Sequence, residues 1–495
     1  MKKIIKSILL AVLLSAFAAA CSVKLDEEAY TPPVNVPLDS LPIELARYTL
    51  SSNEGDIEAL YERLESETFT LSSKQYSFSN GDLFELLRLE IPAGRASAEP
   101  ARLYKSFEGR AGTYRYLDSE TGQWEIKVLE GTLPRQNVYI NIDGKDMILI
   151  PPLAYSAVEP GSVRAIPEND GTVTVDRHGG VFYFEYEIPL EPGIFADTLL
   201  LEVNGEGIDW QSEIMLSIWK GYDLTGANRF LLDGYYYSTP EDYTPSGKDY
   251  YWLNPSAYIT SSLAISGGSR AAADLSLAML DILRANVNSR GFFPTLPKSG
   301  WLENDYGIGP GFFDTRFNTD IFTAYLIAYQ KHGIKEFADM AESYTAFFNS
   351  HARDNHFQVH FNEFTGWLVA DYSHPDKSSL THVSLNHQAA EISYLYRYSE
   401  VMSDQSAADL AFMLLQGIRY TGEKWIAKDG NLHYAYLPEG SYGLQDYPYL
   451  TYNDLFELNR IVTARSDQED KVLTRLMESK KDWMDSRGIT EYRKS

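Results

Sequence analysis

The sequence predicts a multidomain β and α chain, in which a β-sandwich-like domain precedes an α/α toroid, that is, an incomplete α/α barrel. One observation is the hydrophobic period, which is close to two from about Gly112 to Ile218 and 3.6 after Asn254. The other is that Trp, Tyr, His and Asp are concentrated in the long connections between the predicted helices. A length of 495 residues agrees with two or three domains.

Alternating apolar residues predict the sandwich over residues 111–220. Asp143-Gly144 is typical of a hairpin turn, and Asn204-Gly205 ends the last alternating run. The alternating runs are Trp124/Ile126/Val128, Val138/Ile140/Ile142, Val173/Val175, Val181–Ile188 and Thr198–Val203.

The segments on either side are less regular. Residues 21–110 are predicted as a proline-containing tether and an N-terminal region, with a short helix over Asp56–Leu64. Residues 221–254 are rich in Tyr, Gly and Pro and are predicted as the connection to the toroid.

The period of 3.6 residues predicts paired helices over residues 255–490. Two apolar stripes are Phe337/Met340/Ala341/Tyr344/Phe347/Phe348 and Val472/Leu473/Leu476/Met477/Trp483/Met484. Ser466 and Glu469 are predicted as a capping box that opens the second stripe. Further helices are predicted around residues 270–286, 317–331, 385–401, 406–420 and 451–464. Paired helices with functional side chains on loops at one end favour a toroid, and an irregular helical domain is the alternative.

The N-terminus predicts export and anchoring. Residues 1–20 combine early lysines with a short apolar stretch, as in a secretion signal, and Ala18–Ala20 run into Cys21. This arrangement resembles a bacterial lipobox, which implies that Cys21 is acylated and that the mature chain is anchored to a membrane. An outer-membrane or cell-surface lipoprotein is therefore expected. The alternative is a plain signal peptide with an incidental cysteine.

Composition excludes several classes of protein. A formal charge of −26 argues against a nucleic-acid partner, because such partners require clustered Lys and Arg. A single cysteine excludes a disulfide scaffold and a cysteine-based zinc site. His356 and His360 alternate as in a strand and, with His351, lack a matching carboxylate cluster, so neither a metal nor another cofactor is expected. The 35 tyrosines suit sugar faces, although cores and interfaces also use them.

Three loops of the helical half carry the chemistry. The motifs are Gly291/Pro294, Pro310–Phe313, Trp367 with Asp371-Tyr372, Leu385-Asn386, Gly430–Tyr434, and Asp446-Tyr447 with Asn453 and Leu455. In order and approximate interval they resemble the C-terminal catalytic domain of glucuronyl (heparosan-type) C5-epimerases, over roughly residues 255–485. Aspartate stands at 371 in place of that family's glutamate, Thr451 in place of a histidine, and the arginine that follows the family's loop tyrosine is missing.

The resemblance implies a set of site residues. The implied catalytic residues are Asp371, Tyr372, Tyr434 (or Tyr436, given a one-residue gap) and Tyr447. The implied or candidate substrate-binding residues are Phe313, Arg316, Trp367, His382, Asn386, His387, His433 and Asn453.

The implied reaction sets chemical requirements. Inverting C5 of a uronate means removing a proton next to a carboxylate and returning one to the opposite ring face, with an acid and a base opposed. The growing enolate charge must be neutralised, and the candidates are Arg316, His382, His387 and His433. A tyrosine base would need a depressed pKa, whereas a tyrosine acid is already protonated. We expect Tyr447 and Asp371 to be the opposed pair and Tyr372 and Tyr434 to bind or relay protons.

Each of these residues also has a structural interpretation. Tyrosines this numerous are mostly core or rim residues, Asp371 and Asp446 could cap turns, and Arg316 could pair with Asp314 or Asp320.

Three functions stay open at this point. The first is an anchored epimerase that acts on an acidic polysaccharide or oligosaccharide. The second is a lyase, which shares the proton abstraction, or a hydrolase, which needs two opposed carboxyl groups such as Asp371 with Asp446 or Asp305. The third is a non-catalytic, sugar-binding lipoprotein.

Overall fold

The computed structural model describes residues 43–65, 69–91, 100–377 and 379–493. The predicted signal segment and Cys21 lie outside these residues, so their roles stay predictions. In the described ranges, strands precede helices, and the predicted combination of β and α structure is confirmed. No described helix is both long and apolar enough to cross a bilayer.

The first part of the chain is almost entirely β. Its strands are β1 (Ile43–Ser52), β2 (Gly55–Glu65), β3 (Thr70–Phe78), β4 (Leu83–Glu90), β5 (Ala101–Glu108), β6 (Gly112–Leu117), β7 (Trp124–Val128), β8 (Gly131–Thr132), β9 (Val138–Ile142), β10 (Lys145–Glu159), β11 (Ser162–Ala165), β12 (Thr172–His178), β13 (Val181–Ile188), β14 (Phe195–Glu202), β15 (Asn228–Leu231), β16 (Gly234–Ser238), β17 (Tyr243–Thr244) and β18 (Tyr250–Leu253).

These strands form two antiparallel sheets and a short ladder. In the larger sheet, ten strands follow the order β1-β2-β3-β4-β14-β10-β11-β18-β16-β15, and β9, β6 and β7 extend from β10. The smaller sheet has the order β5-β13-β12-β8. Apolar side chains from both sheets, such as Ile140, Leu149, Val175 and Phe184, form the core between them. The predicted sandwich is therefore present.

The sheets extend beyond the predicted range 111–220 on both sides. Asp56–Leu64, predicted as a helix, lies in strand β2, so that prediction is wrong. The residue types favour a helix, but Ile57 and Ala59 are buried in alternation on a paired strand, and sheet pairing overrides local propensity. The predicted connection, 221–254, contributes strands β15 to β18.

The described residues contain ten α-helices, and all except the first, which lies between β14 and β15, belong to the helical part. They are α1 (Glu213–Gly221), α2 (Tyr258–Ser266), α3 (Arg270–Leu283), α4 (Gly300–Tyr306), α5 (Thr315–His332), α6 (Lys335–Asp354), α7 (Leu385–Met402), α8 (Gln405–Thr421), α9 (Leu450–Ser466) and α10 (Lys471–Asp485). The seven helices predicted after residue 270 are confirmed within a few residues. The predicted capping box is wrong, because Asp470 caps α10 and Ser466 ends α9.

The helices pack in two layers. Helices α2, α5, α7 and α9 contact one another in that order, and each also packs on the helix that follows it in the second layer: α3, α6, α8 and α10. Because each second-layer helix returns the chain, the first-layer helices run parallel. The loops that lead into them therefore meet at one end of the helical layers.

Short strands connect these loops. They are β19 (Lys298–Ser299), β20 (Phe313–Asp314), β21 (His356–Phe361), β22 (Phe364–Val369), β23 (Tyr372–Ser373), β24 (Val383–Ser384), β25 (His433–Tyr436) and β26 (Tyr442–Gln445).

The larger sheet also packs against the helices. Its second face shares a continuous hydrophobic core with α1, α3 and the first helix layer. At this contact the hydroxyl groups of Tyr48 and Tyr76 both donate to Asp281 of α3, and Arg284 forms an ion pair with the same carboxylate. This double-sided burial explains why β10 is buried over ten consecutive positions, of which all but the first, Asp146, are apolar.

Candidate functional site

Two-residue ladders gather the predicted site residues at the N-terminal ends of the first-layer helices. Strand β20 pairs with β23, which brings Asp314 opposite Tyr372. Strand β24 pairs with β25, which brings Ser384 opposite Ala435 next to Tyr434. Residues more than 100 positions apart therefore share one cluster.

Asp371 is fully buried at the centre of this cluster. Its Oδ1 accepts a hydrogen bond from the backbone N–H of Ser384 at 2.8 Å, and its Oδ2 accepts one from the Ser384 hydroxyl. The same Oδ2 lies 3.3 Å from His382 Nε2 and 3.5 Å from His387 Nδ1. Burial alone would raise the pKa of this carboxyl. The two imidazoles and the Ser384 hydroxyl outweigh burial and hold its pKa below the usual value.

This burial corrects the predicted role of Asp371. With no exposed surface, its carboxylate cannot touch a sugar directly in this conformation. It can act on a substrate only through the groups bonded to it.

His382 connects Asp371 to a phenol. The imidazole is fully buried, with Nε2 toward Asp371 and Nδ1 3.0 Å from the hydroxyl of Tyr306. The ring of Trp301 lies 5.1 Å from the imidazole and covers it from the α4 side. The ionised carboxylate favours a proton on Nε2, which faces Asp371 at ion-pair distance without a well-formed hydrogen bond. In this tautomer Nδ1 accepts from Tyr306.

Two predicted tyrosines continue from His382 toward solvent. The ring of Tyr434 lies 5.8 Å from the imidazole, and Tyr447 meets Tyr434 edge-on at 5.5 Å. Tyr447 is 47% exposed, so this row of rings reaches the surface. The predicted grouping of these residues with His382 and Asp371 is thus observed.

The predicted tyrosines are placed as acids. Burial raises the pKa of Tyr372, Tyr434 and Tyr447 above the ordinary tyrosine value. Tyr372 is also nearly buried and meets Trp301 at 6.0 Å. These phenols therefore stay protonated at neutral pH and do not have the depressed pKa that a tyrosine base would need.

Arg316 is held by carboxylates at the site. Its Nε lies 2.9 Å from Asp320 and its Nη1 2.6 Å from Asp454, which agrees with the structural interpretation of this arginine for Asp320 but not for Asp314. Asp314 instead caps α5 by accepting from Phe317 N. The guanidinium therefore does not offer a free positive charge to a substrate carboxylate.

Lys480 supports the loop of Tyr447 from beneath. The fully buried Nζ of Lys480 lies 2.6 Å from each of three oxygens: Asp446 Oδ2, Asn431 Oδ1 and the carbonyl oxygen of Tyr447. Asp446 also accepts from the hydroxyl of Thr451. This ion pair removes Asp446 as an accessible carboxyl group for the hydrolase alternative, whereas the other candidate for that role, Asp305 on α4, is exposed.

Two further carboxyl groups lie in the cluster. Burial raises the pKa of Asp314 to about 8, and it raises the pKa of Glu391 on α7 well above the usual value. Thr315 Oγ1 lies 2.9 Å from Nδ1 of His387, whose pKa burial lowers to about 4. At neutral pH Asp371 is thus ionised, whereas Asp314, Glu391 and His387 are uncharged.

The structure places five predicted binding residues away from an accessible surface or in other contacts. Phe313 is buried against Phe292, Phe347 and His351, so it belongs to the core. Trp367 stacks on His356 at 4.0 Å. The Asn453 side chain accepts from the backbone N–H of Arg493.

The other two are Asn386 and His433. Asn386 is buried in the first turn of α7. His433 lies beside the ring of Tyr442, at 6.4 Å.

The histidines weighed for a metal site are spread out. His351 Nε2 donates to the carbonyl oxygen of Ala370 at 3.1 Å, His356 stacks on Trp367, and His360 bonds to Thr365. Among the described residues no group of three or more His, Cys, Asp or Glu side chains is arranged to hold a metal ion.

His351 predicts a change of stability with pH. Burial lowers its pKa from the ordinary 6.5 to about 4, so on acidification the unfolded chain binds this proton first. Stability is then lost as the pH falls from about 6.5 to 4. We expect the wild type to lose ~3 kcal/mol more unfolding free energy between pH 7 and pH 4 than His351→Gln does. Urea unfolding at both pH values measures this, and equal losses in the two proteins would contradict it.

Sequence reasoning missed several residues of the cluster. Lys480 lies on the apolar stripe of α10, four residues after Leu476. A lysine at an apolar position of a helix is the sequence signal that could have identified it. Glu391 lies four residues after His387 and faces the same side of α7. Tyr306 ends α4, where Gly307 adopts a positive φ of 64°, and no motif marks it.

Comparisons with known proteins give weak likenesses. No family model and no curated protein matches the sequence, so the resemblance to C5-epimerases stays a prediction. A D-mannose isomerase structure is 14% identical over 47% of this chain and 61% of its own, with a TM-score of 0.36. A cellobiose 2-epimerase from Spirochaeta thermophila is 13% identical over 47% of this chain and 58% of its own, with a TM-score of 0.35.

A family 76 glycoside hydrolase from a bovine Bacteroides thetaiotaomicron strain covers more of the chain. It is 11% identical over 82% of this chain and 75% of its own, with a TM-score of 0.35. This chain spans about three fifths of the isomerase and the 2-epimerase. Likenesses at this level establish neither a family nor an activity, and the function is argued from the site itself.

Proposed function

We propose that this chain is a membrane-anchored enzyme, on an incomplete α/α toroid, that acts on uronic-acid-containing polysaccharide. It removes the C5 proton of a uronate and returns a proton to the opposite face. The observation that carries the proposal is a row of contacts that begins at the buried Asp371 carboxylate, 3.3 Å from His382. His382 bonds to the phenol of Tyr306, and its ring lies against Tyr434, which in turn contacts the 47% exposed Tyr447.

The composition of the cluster favours proton transfer over hydrolysis. Glycoside hydrolysis needs two carboxyl groups on opposite sides of a bond, both able to reach the sugar. Here Asp446 is bound by Lys480, and Asp371, the carboxyl group that either hydrolase pair would share, is buried and cannot reach the sugar, so an exposed Asp305 has no partner. Phenol groups, which can accept and donate protons, lie nearest the surface, and the imidazoles lie behind them.

The phenols are suited to the second half of the reaction. A protonated Tyr447 with a raised pKa can donate to a carbanion, which is a far stronger base than phenolate. Its edge contact with Tyr434 fixes the ring, and Lys480 fixes its backbone carbonyl oxygen. Tyr447 is therefore assigned as the acid.

Substrate charge is met by the site's imidazoles rather than by Arg316, which two aspartates already neutralise. His382 becomes a cation beside Asp371 when it takes a proton, so positive charge appears at the moment when the substrate's enolate charge grows. The cation then lies next to the developing charge, in a water-poor cluster where its effect is greatest.

The test uses the full chain in deuterated water with heparosan, alginate and pectate, and with amylose as a neutral control. Deuterium at C5 of a uronate, without chain cleavage, is the expected result. A new double-bond absorbance would instead identify a lyase, and new reducing ends without it a hydrolase. Binding with none of these would identify a glycan-binding protein, and each of these three results would overturn the proposal.

Tyr447→Phe tests the assigned acid. Removing the one hydroxyl should lower deuterium incorporation at least about 100-fold, because the donated proton is lost while the ring contact with Tyr434 remains. The thermal unfolding midpoint and polymer binding should stay near the wild-type values. Turnover close to that of the wild type would remove Tyr447 from the mechanism.

The anchor is a separate part of the proposal. Acylation of Cys21 would hold the site at a membrane surface, on the outer membrane or cell surface. Mass spectrometry of the mature N-terminus tests this, and a chain that begins elsewhere or lacks a lipid would contradict it.

A further inference from the structure

Tyr306 ends a short helix over the buried imidazole of His382. Helix α4 stops at Tyr306 because Gly307 takes the left-handed conformation and bonds back to Glu303 and Leu302. This geometry directs the phenol inward, where its hydroxyl lies 3.0 Å from His382 Nδ1. The preceding residues 303–305 are exposed, and Tyr306 itself is partly exposed, so this phenol lies between solvent and the cluster.

We propose that Tyr306 is the catalytic base of the reaction, activated by His382 and Asp371. This rests on the proposed function and adds the residue that receives the substrate proton. Tyr306 is the catalytic residue, because it is partly exposed, whereas His382 and Asp371 are fully buried. His382 and Asp371 are positioning residues that act through it.

The proton transfer is balanced as follows. The O–H proton of Tyr306 moves to His382 Nδ1 while the phenol oxygen takes the C5 proton, and the C–H electron pair passes into the substrate carboxylate. Imidazolium and enolate are formed, and Tyr306 ends protonated. Tyr447 then gives its proton to the opposite face, and the enolate electrons form the new C–H bond. The imidazolium proton and the Tyr447 phenolate reset by exchange with water.

The surroundings of the row suit this role. Asp371 lies 3.3 Å from the far nitrogen of His382 and stabilises the imidazolium as it forms. Burial raises the pKa of Tyr306, and the backbone N–H of His382, which points at the phenol oxygen, partly offsets that rise. A concerted transfer therefore avoids a free phenolate, which burial disfavours.

Tyr306→Phe is compared with Tyr420→Phe, a control on α8 whose ring stacks on Phe361. With heparosan in deuterated water, Tyr306→Phe should lower incorporation at C5 at least about 100-fold, and Tyr420→Phe should not. Tyr306→Phe retaining the wild-type rate within about threefold would overturn the proposal.

A second measurement does not depend on turnover. In protein with nitrogen-15 histidine, assigned with His382→Gln, His382 should carry its proton on Nε2, with Nδ1 shifted as a hydrogen-bond acceptor. Tyr306→Phe should move the Nδ1 signal toward that of a free neutral imidazole nitrogen, and Tyr420→Phe should leave it in place. A proton on Nδ1 in the wild type would overturn the relay. If the wild type exchanges no deuterium with any uronate polymer, the proposed function fails, and the nitrogen spectrum still decides whether the relay exists.

Discussion

Lys480→Met is expected to destabilise the fold by ~3–5 kcal/mol. The methionine fills the space of the lysine stem but leaves Asp446 buried without its cation, and a buried charge that loses its partner is expensive. Asn431 and the carbonyl oxygen of Tyr447 lose the same donor. Urea unfolding followed by circular dichroism measures the loss.

The adjacent lysine is a matched control. Lys481 pairs with Asp485 on the exposed side of α10, so Lys481→Met should change stability little. Adding Asp446→Asn to Lys480→Met should recover part of the loss, because the amide carries no charge to bury. A Lys480→Met protein as stable as Lys481→Met would show that the buried ion pair contributes nothing.

Asp371→Asn is expected to lower turnover by about 10³–10⁴-fold, the loss found where an aspartate no longer orients a catalytic histidine. The amide can still accept from Ser384 N, but it can donate to His382 Nε2 and so reverse the tautomer. Deuterium incorporation at the C5 position of heparosan measures the effect. In the nitrogen-15 spectrum the proton of His382 should also move from Nε2 to Nδ1, because the amide donates where the carboxylate faced the imidazole as an acceptor.

The nitrogen-15 spectrum separates this role from a structural one. A variant that only loosens the fold would lower the rate without moving the proton of His382 from Nε2 to Nδ1. If Asp371→Asn fails to fold, His382→Gln interrupts the same row and serves in its place. Turnover near the wild-type value in either variant would remove the Asp371–His382 pair from the mechanism.

The fold was predictable where hydrophobic period is strong. Strand β9 with its Asp143-Gly144 turn, and helices such as α6, follow directly from their apolar spacing. Strand β2 was not predictable, because Glu, Ala, Leu and Arg favour a helix and only pairing with β1 and β3 decides the outcome. Strands β15 to β18 were hidden by their Gly and Pro neighbours.

The sequence predicted which residues would lie together at the site, but not how deeply each of them would be buried. The sequence placed Asp371, His382, Tyr434 and Tyr447 on converging loops, and they do converge. It could not show that Asp371 is fully buried, or that Trp301, on a helix without a motif, covers the His382 imidazole.

The enclosure of His382 and Asp371 has an isotopic consequence. The C5 hydrogen that Tyr306 takes up, and the proton that it passes to the buried His382, exchange with water more slowly than the proton of Tyr447. The original hydrogen can therefore return to the carbon it left, which regenerates starting sugar without label. The half-open ring of Tyr447 equilibrates freely, so the inverted sugar carries solvent deuterium. Under the proposed chemistry, label therefore accumulates in the inverted sugar, while recovered starting material keeps its original hydrogen. When the inverted sugar is the starting material, label appears in the recovered starting material rather than in the product.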